Sequence, residues 1–210
     1  ATMLWRGIWD GGLDLGGVGN VLAESRTWKV VWQTVLQAAL GTAGAILLGV
    51  PSAYILYRVR FPFQKVARAA ATIPFVLPTV VVGVAFRALL GRGGPLEFLG
   101  LDQTVTAVVI ALTYFNYAVV VRTVGTMWQT LDPRSAQAAR TLGASPSRAF
   151  LTVTLPQLAP AIASAGAIVF LFCSTSYGLV RTLGSPGYGT LETEIWRETT
   201  AMLDTRAAAV

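Results

Sequence analysis

Few side chains in this 210-residue sequence could do acid–base or metal chemistry. Four acids fall close together near its end, Glu192, Glu194, Glu198 and Asp204, and two tyrosines, Tyr177 and Tyr188, come shortly before them. Paired phenolates could hold a ferric ion, but two tyrosines without carboxylates arranged around them make a weak ligand set. The acids read as the solvated face of a helix, not as a general acid and base. The chain has no His and a single Cys, Cys173. Disulfide frameworks, Cys/His zinc sites and His-dependent catalytic triads are therefore excluded within it. Its only lysines, Lys29 and Lys65, stand in no G-x-x-x-x-G-K-[ST] phosphate loop. No catalytic residue and no metal ligand is expected.

The surroundings explain the scarcity. Hydrophobic residues make up 54% and charged residues 12%, about half the ~25% of globular domains. Mean hydropathy is +0.60. Disorder needs the opposite composition. The net charge of +6 is spread thinly between apolar runs, unlike the clustered basic surface of a nucleic-acid binder. An integral membrane protein remains. Residues 30–57, 69–86 and 103–121 are free of Asp, Glu, Lys and Arg, as is the long run 149–180. A bilayer core of about 30 Å takes roughly 20 helical residues. Barrel strands of ~10 residues would alternate in polarity, and these runs do not. Spans are expected at about 30–57, 69–90, 103–125 and 157–181, in an all-α, polytopic membrane helix bundle.

Lys and Arg set the orientation. Segments 58–68 and 122–148 together hold eight cations and one anion, and the other three hold eight cations and nine anions. Residues 58–68 and 122–156 are therefore expected in the cytoplasm. Residues 1–29 and 181–206 are expected outside, as is the short connection between the second and third spans. Residues 1–29 show no signal-peptide pattern, having no basic start followed by an apolar stretch. With both ends outside, at least one further helix is expected on each side, and residues 207–210 read as the start of a further span.

The most informative cytoplasmic stretch is 131–160. Asp132-Pro133 is a helix start, an N-cap followed by Pro at the first helical position. Ala136, Ala138 and Ala139 favour helix, and Gly143 supplies a left-handed stop. Ser145-Pro146 repeats the start signal for a second short helix through Phe150 and Val153. Pro156 and Pro160 then mark the beginning of the fourth span. Local chemistry leaves two readings: a structured loop joining two spans, or a helix whose small side chains fit a groove on a partner.

Polar groups within spans also carry two readings, helix packing or the lining of a path. Candidates for a path are Asn116, Tyr117, Ser174, Ser176 and Tyr177. Arg122 is read as reaching back to the cytoplasmic face.

The spacing in the loop resembles a known motif. Gln137-Ala138-Ala139, three residues, Gly143, nine residues, Val153, one residue, Leu155-Pro156 is similar to the EAA loop of binding-protein-dependent ABC importer permeases, which reads Glu-Ala-Ala, three residues, Gly, nine residues, Ile, one residue, Leu-Pro. Every spacing agrees. Val153 replaces Ile, and Gln137 replaces Glu, keeping its length but losing its charge. Ile73-Pro74 with Leu77-Pro78, and Phe115-Asn116 followed by Arg122, also resemble this family. The tail, Thr182-Leu183-Gly184 and then residues 190–196, is similar to the fused iron(III) and thiamine permeases. The likeness runs from about residue 34 to the end.

The resemblance implies a type I importer permease, with residues 30–210 forming its transmembrane domain and 131–156 its coupling loop. It implies two permease halves, fused or separate, and a pair of cytoplasmic ABC ATPases that bind ATP and Mg. It also implies an external substrate-binding protein, which the acids of segment 182–206 could touch. The coupling residues implied are Gln137, Ala138, Ala139, Arg140, Leu142, Gly143, Val153, Leu155 and Pro156. Catalysis would belong to the partner, and the substrate would be iron(III) or a small solute such as thiamine. An ion-coupled secondary transporter is the alternative; its usual intramembrane Asp, Glu or His is absent from all four spans.

Overall fold

The structure, a computed structural model, describes residues 23–200. The expectations for residues 1–22, for Asp204 and for a span starting at 207 lie outside the described residues. Within them every element is helical: α1 (Ser25–Arg58), α2 (Gln64–Val76), α3 (Thr79–Leu90), a 3-10 turn (Glu97–Leu99), α4 (Val105–Thr130), α5 (Pro133–Thr141), α6 (Pro146–Ala149), a π-turn (Phe150–Thr154), α7 (Leu155–Ser174), α8 (Tyr177–Leu183) and α9 (Leu191–Thr200). Three stretches, Ser25–Arg58, Val105–Thr130 and Pro146–Ser174, are long and apolar enough to cross a membrane. The pair α2–α3 makes a fourth if counted together.

Two expected spans are interrupted. The run 69–90 breaks at Leu77, which is extended (φ −76, ψ 141) because the ring of Pro78 disfavours a helical conformation in the residue before it. The run 157–181 divides at Thr175-Ser176 into α7 and α8. No proline or glycine lies at that break. It is made by tertiary contact, since the Tyr177 N–H donates to Glu192 Oε2 at 2.8 Å. A third departure is a continuity. The second loop helix was expected to end before the fourth span, yet α6, the π-turn and α7 run on without a break. The Leu155 N–H reaches five residues back to the Phe150 carbonyl. This wider turn falls directly before Pro156, whose missing N–H could not have continued a regular ladder.

The chain divides into two compact units. In the unit of residues 40–78 and 112–173, small residues recur every fourth position along α1: Gly41, Ala45, Gly49 and Ala53. Ala45 and Ala53 are fully buried. A Cβ on Gly49 would lie 2.6 Å from Val120 Cβ of α4. Such a stripe lets helix backbones approach closely, which is how helices associate when lipid removes the hydrophobic drive. Past the end of α1, Gln64 Nε2 and Arg68 Nε donate to the Leu56 carbonyl at 2.8 and 2.6 Å, satisfying an acceptor the helix leaves open.

In the unit of residues 1–39, 79–111 and 174–210, α3 and α8 pack through small residues. A Cβ on Gly178 would lie 2.7 Å from Thr79 Oγ1, and one on Gly83 would overlap Thr182. Polar contacts tie the chain around α9 to the start of α1. Tyr188 OH donates to Gln37 Oε1 at 3.0 Å, and the Leu191 N–H donates to Thr34 Oγ1 at 3.1 Å.

Candidate functional site

The loop 131–156 is built by its local signals. Asp132 Oδ1 accepts from the Arg134 N–H at 2.9 Å, and Ser145 Oγ from the Arg148 N–H at 3.3 Å. Pro133 and Pro146 take the first helical positions. At the far end of α5, Gly143 has φ +90. The Ala144 N–H donates to the Ala139 carbonyl at 3.1 Å and the Gly143 N–H to the Arg140 carbonyl at 3.0 Å. Those two bonds, spanning five and three residues, are a Schellman cap that needs a left-handed residue at Gly143. Replacing Asp132 with alanine should cost the loop about 1 kcal/mol; amide hydrogen exchange in α5 should quicken while exchange in α4 stays as it was.

This cap leaves Leu142 standing in solvent, 89% exposed. Gln137, Ala138 and Arg140 are exposed as well, and Ala139 is half-buried. A cavity of about 400 Å³ adjoins them, lined by Tyr54, Arg58, Gln137, Arg140, Phe150 and Val153 among others. Gln137 and Val153, from opposite ends of the motif, thus share one cavity. Behind it Trp128 stacks on Phe150 (5.9 Å, 22°) and meets Tyr54 (5.4 Å). These rings fasten the second loop helix to α4 and α1. Leu155 and Pro156 lie in the first turn of α7, where they join loop to span.

The path candidates fall in different places. Asn116 is fully buried; its Nδ2 donates to the Leu112 carbonyl at 3.0 Å and lies 3.5 Å from Cys173 Sγ. Those are helix-packing contacts. Tyr117 belongs to the same unit, whereas Ser174, Ser176 and Tyr177 belong to the other. None of the five lines the loop cavity. Tyr177 packs on Trp196, with ring centroids 5.9 Å apart, and Tyr188 directs its hydroxyl to Gln37. Their partners are those of structural tyrosines, and the described residues hold no cluster of three or more His, Cys, Asp or Glu able to bind a metal.

The acids of α9 depart from the expected solvated face. Glu192 accepts from Tyr177 N–H, Glu194 pairs with Arg26 and Arg197 at 2.9 Å each, and Glu198 pairs with Arg197 at 2.6 Å. All three are half-buried. Burial pushes the Glu192 carboxyl up, against the lowering effect of the Tyr177 N–H. A raised folded-state value means the acid form favours folding. This contribution is complete below the ordinary carboxylate value of about 4.3 and is lost as pH rises through the higher folded value. Glu192→Gln should remove that part of the pH dependence of thermal unfolding.

An all-helical membrane bundle carrying a capped, solvent-facing helix between two long spans has the architecture of an ABC importer permease. A crystal structure of a bacterial ABC transporter that imports the acidic polysaccharide alginate superposes with a TM-score of 0.78 at 15% identity, over 99% of this chain and 78% of the other. An inward-facing MetNI methionine ABC transporter gives 0.67 at 17% identity, over 85% and 84%. The chain belongs to the binding-protein-dependent transport system inner membrane component family, which it matches over residues 45–210. It is a multi-pass inner-membrane protein.

Its relatives include the sulfate transport system permease protein CysT of Salmonella typhimurium, 30% identical over 186 residues, 86% of this chain and 64% of the relative. The molybdenum transport system permease protein ModB of Escherichia coli is 29% identical over 184 residues, 77% and 80%. The chain thus spans under two thirds of the sulfate permeases' length. The tail motif had pointed to iron(III) or thiamine; relatives named for sulfate and molybdenum lend that substrate no support.

Proposed function

We propose that this chain is the permease subunit of an ATP-driven importer, and that its substrate is a small oxyanion of the sulfate or molybdate kind. The observation that carries the subunit role is the loop helix α5, capped at both ends and presenting Gln137, Ala138 and exposed Leu142. An apolar side chain held in water by a Schellman cap suits a partner's groove better than a connecting loop. The partner is a cytoplasmic ABC ATPase, which carries the ATP, the Mg and all of the hydrolysis; this chain transports and is no enzyme. A second permease half, fused or separate, completes the path, and an external binding protein delivers the anion. Loop 131–156 then faces the cytoplasm, as the charge distribution requires. The substrate class rests on the names of the relatives.

Reconstituting the full-length protein with its ATPase and binding protein in proteoliposomes tests both parts. ATP-dependent uptake of sulfate or molybdate, without uptake of iron(III) or thiamine, is expected. Uptake of iron(III) or thiamine alone would replace the substrate, and uptake independent of ATP would remove the importer assignment.

A further inference from the structure

A second cavity, of about 670 Å³, lies in the unit formed by residues 1–39, 79–111 and 174–210. Segments 1–29 and 181–206, both expected outside the membrane, contribute to it, together with Arg87 from the last turn of α3 and Gln103 just before α4. Among the described residues its charged lining is Arg26, Arg87, Arg181 and Arg197, with Glu194 the one acid. The four cations are not equivalent. Glu194 pairs with both Arg26 and Arg197, and Glu198 Oε1 lies 2.6 Å from Arg197 Nη2. Arg181 lies over the ring of Trp196, 5.5 Å from its centroid. Neither Arg87 nor Arg181 has an acid within ion-pair distance among the described residues.

We infer that this cavity is an anion vestibule, in which Arg87 and Arg181 receive the oxyanion on its way to the path. The inference rests on the oxyanion reading above and adds to it a place and two residues. Two unanswered guanidiniums in one concave wall attract counter-ions and raise their local concentration. A guanidinium fork matches the paired oxygens of a tetrahedral oxyanion. The cavity is far larger than such an ion, which therefore sits there with much of its water. Loose holding suits a passage, because an anion bound tightly at the mouth would not move on. Glu194 keeps the other two arginines in place and moderates the field, so that Arg87 and Arg181 carry the excess.

A thiol reporter reads the field directly. Ser185 lines the cavity, the one thiol of this sequence, Cys173, is buried, and any other cysteine of the full-length protein is replaced by serine. In membranes holding the full-length Ser185→Cys protein, an anionic and a cationic methanethiosulfonate are compared, each normalised to its rate with a free thiol and to a neutral reagent. The anionic reagent should be favoured about tenfold, less so at high salt, and millimolar sulfate or molybdate should slow it. Arg87→Gln with Arg181→Gln should abolish the preference, and the corresponding Lys pair should keep it. No preference, or one that survives the Gln pair, overturns the vestibule. So does a Gln pair that weakens only the affinity for the binding protein, with uptake unchanged when that protein saturates; the arginines would then meet a partner's carboxylates. The reporter needs no transported substrate. A vestibule confirmed by it beside uptake of neither sulfate nor molybdate would overturn the substrate reading alone.

Discussion

Valine in place of Gly143 is expected to abolish transport-coupled ATPase activity, while the protein still reaches the membrane and the loaded binding protein still docks. Gly143 sits at φ +90, and a Cβ built there meets nothing within 4 Å. The substitution therefore acts through the backbone and not through crowding. A β-branched residue in the left-handed region costs about 1–3 kcal/mol, a shift of about five- to 150-fold in the population of the capped turn. With the cap lost, the Ala139 and Arg140 carbonyls lose their donors and Leu142 loses its fixed position. Alanine should be milder. Asparagine, which tolerates the left-handed region, should retain most activity. Normal coupled ATPase activity in the valine variant would remove α5 from the coupling role.

Gly125→Val should be strongly destabilising in the membrane-spanning part. A Cβ at Gly125 of α4 would overlap the ring of Tyr57 at the end of α1. Overpacking of this kind costs about 1–3 kcal/mol. The Tyr57 ring also lies under the Arg68 guanidinium, 4.3 Å from its centroid, so it cannot move aside without losing that contact. Thermal unfolding in detergent should show a lowered midpoint. Tyr57→Ala should be destabilising alone yet partly compensating in the Gly125→Val background, a coupling of about 0.5–3 kcal/mol. Additive effects would show that the two side chains do not compete for one space.

The structure of loop 131–156 was legible because its signals are local. Asp132, Ser145 and Gly143 each act through bonds to residues within five positions, and residue type decides such bonds. The end of α7 was not legible. Nothing at Thr175-Ser176 stops a helix; the break depends on Glu192, fifteen residues beyond Tyr177, and on Gly178 closing against Thr79. Pro156 misled in the other direction. It reads as the entry of a separate fourth span, but a π-turn placed before it lets the loop helix run into that span unbroken. The burial of the α9 acids was hidden because two of their partners are distant in sequence: Arg26 is 168 positions from Glu194, and the Tyr177 N–H is fifteen from Glu192. The Gly41-Ala45-Gly49-Ala53 stripe was present in the sequence as a four-residue period, masked by the apolarity of the whole run.

The subunit role is tested most directly by a photoreactive group carried at position 142 in the full-length protein assembled with its ATPase. The side chain there is exposed. Irradiation should join it to the ATPase subunit, and Gly143→Val should remove that product. Adducts with lipid or with this chain alone would contradict the assignment of α5 as the element that couples ATP hydrolysis to transport.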